Sequence, residues 1–265
     1  MVHTPKTNQA YRSSLNAVEK QIGTLPLTEI TFSTMNNYFE QRIRLSSIYQ
    51  ARKDLITINS LFNKAIAEGY ILQNPCKDVK RFRIPQKQPL FFTQLEYDLL
   101  LATVTESDIK DLFTFAVQTG LRQMELLTLE WNQVDFKERF LILDNRSHVT
   151  KSKKVRSIPL TNKAIHILEE RERNKRSSLV FTLRQKPISQ TNLTHKFRKY
   201  SKSANINQKL TFHSLRHTFA SWLVQRGVPI YSVSKLLGHS SVNVTQIYSH
   251  LNTDSLRQAI DSLNN

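Results

Sequence analysis

The chain has 265 residues, enough for one large domain or two ordinary ones, and 39% of them are hydrophobic, enough for a real core. Its formal net charge of +17, from 38 Lys+Arg against 21 Asp+Glu, points to a polyanionic partner. Five glycines, with no G-x-x-x-x-G-K and no G-x-G-x-x-G, exclude a glycine-rich phosphate loop, so any phosphate must be handled by side chains.

The single cysteine, Cys76, excludes a disulfide within the chain and fits a reducing cytoplasm. No apolar run approaches the roughly 20 residues of a spanning helix, and the first residues lack a signal-peptide core. A membrane partner is therefore not expected.

In chain order, residues 1–84 read as a helical domain. Tyr11, Leu15, Val18 and Ile22 recur at helical spacing, and Gly23 can stop that helix. A second helix is predicted from Ser33 to Ile43 on Met35, Tyr38 and Phe39. A longer one runs from Ser46 to Glu68 on Ile48, Leu55, Ile58, Leu61, Phe62, Ala65 and Ile66. Gly69 ends it, and Asn74-Pro75 forbids continuation. The stretch from Lys77 to Pro89 is basic, holds two prolines and lacks periodicity. It reads as an interdomain linker, with residues 85–92 taken as the linker between the domains, or as an ordinary surface loop.

The second domain, residues 93–265, opens on Thr93-Gln94-Leu95-Glu96, a capping box before an apolar run. A helix from Ser107 ends at Gly120. Arg139 to Leu143 and Val155 to Leu160 read as short strands, with Val149-Thr150 continuing the pairing. Helices are predicted at Asn162 to Arg173, Gln190 to Ser203, His213 to Arg226, Ile230 to Leu237 and Val242 to Ser249. The tail from Ser255 to Leu263 carries Leu256, Ala259, Ile260 and Leu263 on one face. The expected fold is mainly α with a small antiparallel β-sheet.

Four segments carry chemistry. His213 and Arg216, at i and i+3, project from one side of a helix start. A guanidinium grips two phosphate oxygens at once, and an imidazole moves protons near neutral pH. Alone, this pair is more often a capping histidine beside a surface arginine. Leu237-Gly238-His239 reads as a helix end with glycine in the left-handed position and His239 projecting from the turn. As a nucleophile, Tyr248 needs its ordinary pKa of about 10 lowered, and nearby cations are expected to lower it. Arg122 follows the helix-ending Gly120; Glu125 pairs with it, orients it or sits on the surface. Leu126, Leu127, Leu129 and Trp131 read as core. The segment Thr150-Lys151-Ser152-Lys153-Lys154 is a solvated hairpin tip or carries a lysine that reaches a leaving-group oxygen.

Taken together and in this order, T-G-L-R-Q-M-E-L at 119–126, T-K-S-K-K-V-R-S-I-P-L at 150–160, H-S-L-R-H-T-F-A at 213–220 and L-G-H-S-S-V-N-V-T-Q-I-Y-S-H at 237–250 resemble the tyrosine recombinases, or phage-type integrases. The resemblance covers essentially the whole chain. It implies a helical core-binding (SAM-like) domain at 1–84 and a mixed α+β catalytic domain at 93–265, closing on double-stranded DNA as a clamp. It implies that Tyr248 forms a 3′-phosphotyrosyl bond, that Arg122 and Arg216 hold the non-bridging oxygens, and that His239 adds a hydrogen bond. Lys151 would protonate the departing 5′-oxygen, with Lys153 or Lys154 able to take the role, since this turn lacks the family's usual glycine. His213 would assist as acid or base. No ATP, cofactor or metal is implied. The tail would join protomers into a tetramer on DNA. The arm-binding domain of many phage integrases is expected to be absent or left out of this sequence.

Three rival readings compete with this one. A helix-turn-helix-like DNA-binding regulator fits Ala220 to Val233 but leaves Arg122, Lys151, His239 and Tyr248 without a reason. His213 and His217, at i and i+4, have metal-ligand spacing, but they lack the glutamate of H-E-x-x-H and flank the cationic Arg216. A type IB topoisomerase shares the chemistry but has less need of the tail and a site-recognising N-terminal domain.

Overall fold

The computed structural model describes residues 5–84, 88–144, 155–251 and 260–261. The chain divides into two units, Met1–Lys87 and Gln88–Asn265.

The first unit packs three helices, α1 (Pro5–Ile22), α2 (Phe32–Leu45) and α3 (Ile48–Ala67). Hydroxyl caps set the starts of two of them. Thr31 accepts from the Thr34 N–H at 3.3 Å, and Ser47 from the Gln50 N–H at 3.3 Å. The core is Met35, Tyr38 and Phe39 of α2 against Ala51, Leu55, Ile58, Phe62 and Ala65 of α3. Asp54 is buried in it, held by the Tyr38 hydroxyl at 2.8 Å and Arg42 Nε at 2.6 Å, as a buried carboxylate requires. Gly69, at φ +78°, ends α3. Two stripe residues differ from expectation: Leu61 and Ile66 face solvent. The segment read as linker also begins later than Lys77, because Cys76 and Val79 are buried and Phe82 packs on the same core.

The second unit is mostly helical with two small antiparallel sheets. Its helices are α4 (Gln94–Thr103), α5 (Ser107–Thr119), α6 (Gln123–Leu127), α7 (Asn162–Arg173), α8 (Gln190–Ser203), α9 (Phe212–Gln225) and α10 (Ile230–Leu237). Phe92 is wholly buried here; its N–H donates to Thr218 Oγ1 at 2.9 Å and its carbonyl accepts from Trp222 Nε1 at 3.1 Å. The end of the 85–92 stretch is thus core rather than connector. The Thr93 capping box forms with Glu96. Helix α5 is buried nearly all round, with Ile109, Leu112, Phe113, Phe115, Ala116 and Val117 in the main core.

Strands β1 (Val134–Asp135), β2 (Phe140–Leu143) and β3 (Arg156–Pro159) pair antiparallel in the order β1-β2-β3. Leu141 and Leu143 point inward while Phe140 and Ile142 face out, the alternation of a one-faced sheet. A second hairpin, β4 (Thr182–Leu183) with β5 (Lys186–Pro187), turns through Arg184 and Gln185, both at positive φ. Its non-glycine turn gave no sequence signal.

The α-helix expected from Val242 to Ser249 is replaced by two 3₁₀ segments, Val242–Val244 and Gln246–Leu251. Val242, Val244 and Thr245 are β-branched, and tight bonds such as Thr245 N–H to the Val242 carbonyl, at 2.7 Å, take over. Val149-Thr150 and most of the tail face lie outside the described residues; of that face Ile260 is described, helical and exposed. No helix among the described residues is long and apolar enough to cross a membrane.

Candidate active site

The site is built where α9 starts, α5 stops and α10 stops. Helix α9 presents His213, Arg216 and His217 on one face, at i, i+3 and i+4. Arg216 is 3% exposed. Its Nη1 donates to the Gly120 carbonyl and its Nη2 to the Leu237 carbonyl, both at 2.6 Å. Gly120 sits at φ +62°, and a Cβ there would collide with the Phe219 ring of α9. Glycine is therefore needed both to turn the chain and to let α9 approach.

Arg122 follows that turn. Its Nη2 donates to the Gly238 carbonyl at 3.2 Å. Both guanidiniums thus rest on the last carbonyls of α10, where the unpaired C=O groups and the helix dipole favour cations. Gly238, at φ +64°, ends α10, and a Cβ on it would strike the Arg156 guanidinium.

Glu125 is the counter-ion of this cluster. It accepts from the Arg122 backbone N–H at 2.8 Å and from Arg122 Nη1 at 2.9 Å. Arg156, on β3, donates to it through Nη2 at 2.7 Å and Nη1 at 3.2 Å. The open alternatives for Glu125 resolve to orientation: it is buried and fixes Arg122 at both main chain and side chain. Burial opposes its ionisation, but Arg156, the Arg122 N–H and the Arg122 charge outweigh that and hold its pKa below the ordinary value.

The two remaining groups follow α10. His239 Nδ1 lies 2.8 Å from Thr245 Oγ1. Tyr248 is 2% exposed, its ring packed among Phe219, Ala220, Val224, Val233 and Leu237. Its hydroxyl lies 2.5 Å from His217 Nδ1. The His217 ring stands edge-on to His213, centroids 4.8 Å apart at 87°.

The electrostatics follow from burial beside cations. Desolvation first, then His213, Arg216 and His239, push the His217 pKa down to about 4. Desolvation and then Arg216, Arg122, Arg156 and His213 push His239 to about 4 as well. His213 is exposed, yet its pKa is lowered by desolvation, Arg216 and Arg122. Contrary to the lowering expected from nearby cations, burial lifts Tyr248 to about 12 and outweighs the opposing pull of Arg216. At neutral pH the site holds fixed guanidinium charge, neutral imidazoles and a neutral phenol.

Of the residues singled out from sequence, Arg122, His213, Arg216, His239 and Tyr248 fall in this one neighbourhood, and Lys151 lies outside the described residues. Sequence reading missed Arg156 and the place of His217. The second has a signal, its i+4 spacing from His213, but in sequence that spacing points equally to a metal pair. Among the described residues no group of three or more His, Cys, Asp or Glu is placed to hold a metal ion.

Residues 91–255 match the phage integrase family. The chain is 32% identical over 269 residues to a tyrosine recombinase XerC-like protein of Caldanaerobacter subterraneus subsp. tengcongensis, covering 83% of this chain and 68% of that one. Its fold is similar to that of the Tn1549 transposon integrase in complex with transposon right end DNA (TM-score 0.81, 20% identity, 99% and 95% of the two chains covered). It is also similar to a lambda integrase dimer bound to a COC′ core site (TM-score 0.78, 21% identity, 92% and 91% covered). The class so defined is a site-specific tyrosine recombinase. Within it, the chain belongs to the phage integrase family.

Proposed function

We propose that this enzyme cuts and rejoins double-stranded DNA at a specific site through a 3′-phosphotyrosyl intermediate and a Holliday junction. Tyr248 attacks the phosphorus, the P–O5′ bond breaks, and a 5′-hydroxyl is released. Arg122 and Arg216 hold the non-bridging oxygens and offset the charge that grows in the pentavalent transition state. His239 adds a hydrogen bond, His213 assists proton transfer, and Lys151 protonates the departing oxygen. The bond energy stays in the phosphotyrosine, so a partner strand's 5′-hydroxyl reverses the attack without ATP or metal.

The observation that carries this reading is the shared seat of the two arginines. Arg122 and Arg216 rest on the adjacent carbonyls of Gly238 and Leu237, directly before His239. Each guanidinium has further N–H groups for a phosphate. For Lys151, support comes from Arg156: the strand that follows Lys151 in the sequence begins with a residue bonded to the partner of Arg122.

Residues 1–84 serve in this reading as the core-binding domain, and the stretch from 85 up to the buried Phe92 as the linker to the catalytic domain. A groove of the first unit is lined by Arg52, Lys77, Arg81 and Arg83 together with Asn59 and Asn63, which supports salt-dependent phosphate contact there. The tail completes a tetramer on the DNA.

The test uses supercoiled DNA carrying the regions that flank this protein's own gene. Wild type and Tyr248→Phe are incubated with it in EDTA, quenched with SDS, and the DNA that stays on protein is sequenced. A tyrosine-dependent adduct at a discrete position is expected. Adduct-free binding by both proteins would instead favour a non-catalytic DNA-binding regulator.

A further inference from the structure

We infer that His217 is the base that takes the phenolic proton of Tyr248 during attack, with His213 bracing its ring. The inference rests on the reading of Tyr248 as nucleophile and adds to it a residue that none of the assigned roles requires.

Geometry is the first ground. The Tyr248 hydroxyl and His217 Nδ1 are 2.5 Å apart, within direct proton-transfer distance. Among the described residues no carboxylate is hydrogen-bonded to that hydroxyl. His217 is held on two sides: by its place on α9, directly after the buried Arg216, and by the edge of His213 at 4.8 Å. His213, the residue first expected to assist, therefore reaches the tyrosine through His217.

Charge is the second ground. Burial first, and then His213, Arg216 and His239, oppose protonation of His217, so its lone pair is free to accept the phenol's hydrogen bond. Burial and that field together make it a weak base before DNA arrives. An anionic phosphate bound between Arg122 and Arg216 cancels part of the field, which strengthens the base when the nucleophile is needed. The step balances. As Tyr248 Oη bonds to phosphorus, its proton passes to His217 Nδ1 and leaves an imidazolium. The P–O5′ bond breaks, and the departing oxygen takes a proton from Lys151. On rejoining, both transfers reverse.

The probe is a duplex of the sequence recovered in the adduct experiment, nicked beside the cleavage position so that adduct accumulates. His217→Gln keeps a polar contact to the hydroxyl but takes up no proton. It should bind the duplex as wild type does and form adduct about 100- to 10,000-fold more slowly in single turnover. A fluorinated tyrosine at position 248, whose phenol ionises near neutral pH, should restore most of that loss in His217→Gln and change wild type little. A merely structural role for His217 would not be rescued this way. Wild-type rates in His217→Gln, or equal slowness with tyrosine and fluorotyrosine, would overturn the assignment.

Should His217→Gln fail to fold, the wild type decides. On a duplex with sulfur at the 5′ bridging position the leaving group needs no proton. Slower cleavage in D2O is then expected from the tyrosine side, and equal rates in D2O and H2O would overturn the proposal. Adduct from Tyr248→Phe would bring down the nucleophile itself. Loss of that adduct beside a fast His217→Gln would bring down His217 alone.

Discussion

Two histidines in this site occupy nearly the same electrostatic position and differ in what they touch. His217, on α9, and His239, after α10, are both pushed to about 4, first by burial and then by neighbours of which Arg216 and His213 are common to the two. Each sets its Nδ1 against a hydroxyl, at 2.5 Å and 2.8 Å respectively. The hydroxyl of Tyr248 is a phenol, with an ordinary pKa of about 10, and gives up a proton when it attacks. That of Thr245 is an aliphatic alcohol, a far weaker acid than a phenol, and makes no bond to phosphorus in this reading. The field keeps both rings neutral, and the partner decides the task. A ring whose Nδ1 meets the nucleophile is placed to accept, whereas one whose Nδ1 is pinned by a threonine is oriented to offer its other nitrogen to a phosphate. Proton transfer and oxyanion binding are thereby divided between two otherwise similar residues.

Removing the two hydroxyls should separate the pairs most sharply. Tyr248→Phe is expected to bind DNA normally and yield no adduct by SDS-gel assay. The next effect falls on the charge that both histidines share. Arg216→Ala should cut roughly 100- to 1,000-fold more slowly in single turnover, since it removes a donor to the transition state. It also leaves the Gly120 and Leu237 carbonyls without their buried donor. A loss of about 1–3 kcal/mol per group follows from that. Melting several degrees lower by calorimetry is the corresponding readout. Arg122→Ala should show a comparable rate defect with a smaller shift in melting, because Arg122 is 38% exposed. Loss of binding by either variant with no separate rate defect would contradict the division of labour.

Much of this was legible in the sequence where local chemistry dictates structure. The glycine stops at Gly69, Gly120 and Gly238 each take the left-handed conformation that the motif requires. The bounds of α7, α8 and α10 match the predicted ones. Spacing alone could not reveal contacts between elements distant in sequence. Arg156 meets Glu125 only through the register of β3 on β2, and His217 meets Tyr248 only because α9 packs against the last 3₁₀ segment. The helix expected at Val242 to Ser249 failed for a related reason. Its apolar spacing is helical, but the β-branched residues and the Thr245–His239 contact favour a tighter winding.

The threonine side of the comparison predicts a smaller effect. Thr245 is fully buried, so Thr245→Val keeps the shape and removes only the pin on His239. Cleavage about tenfold slower is expected, with DNA affinity unchanged. A rate equal to wild type would mean that His239 is oriented by something else.

Acid stability supplies the mildest test of whether the two rings share one field. An unfolded histidine titrates near 6.5, while His217 and His239 in the folded chain resist protonation down to about 4. Between those values the unfolded state binds more protons, so stability rises with pH across that window. It is fully in place above the unfolded value and is lost as pH falls towards the folded one. The depressed Glu125 acts in a lower window, near and below its ordinary 4.5, and does not mask this slope. The melting temperature of wild type should therefore drop from about pH 7 to about pH 5. His217→Gln and His239→Gln should each flatten the drop by a similar amount, and the double variant should flatten it further. A flattening confined to His239→Gln would mean that the phenol already stabilises a charged His217, and the two histidines would no longer stand in the same field.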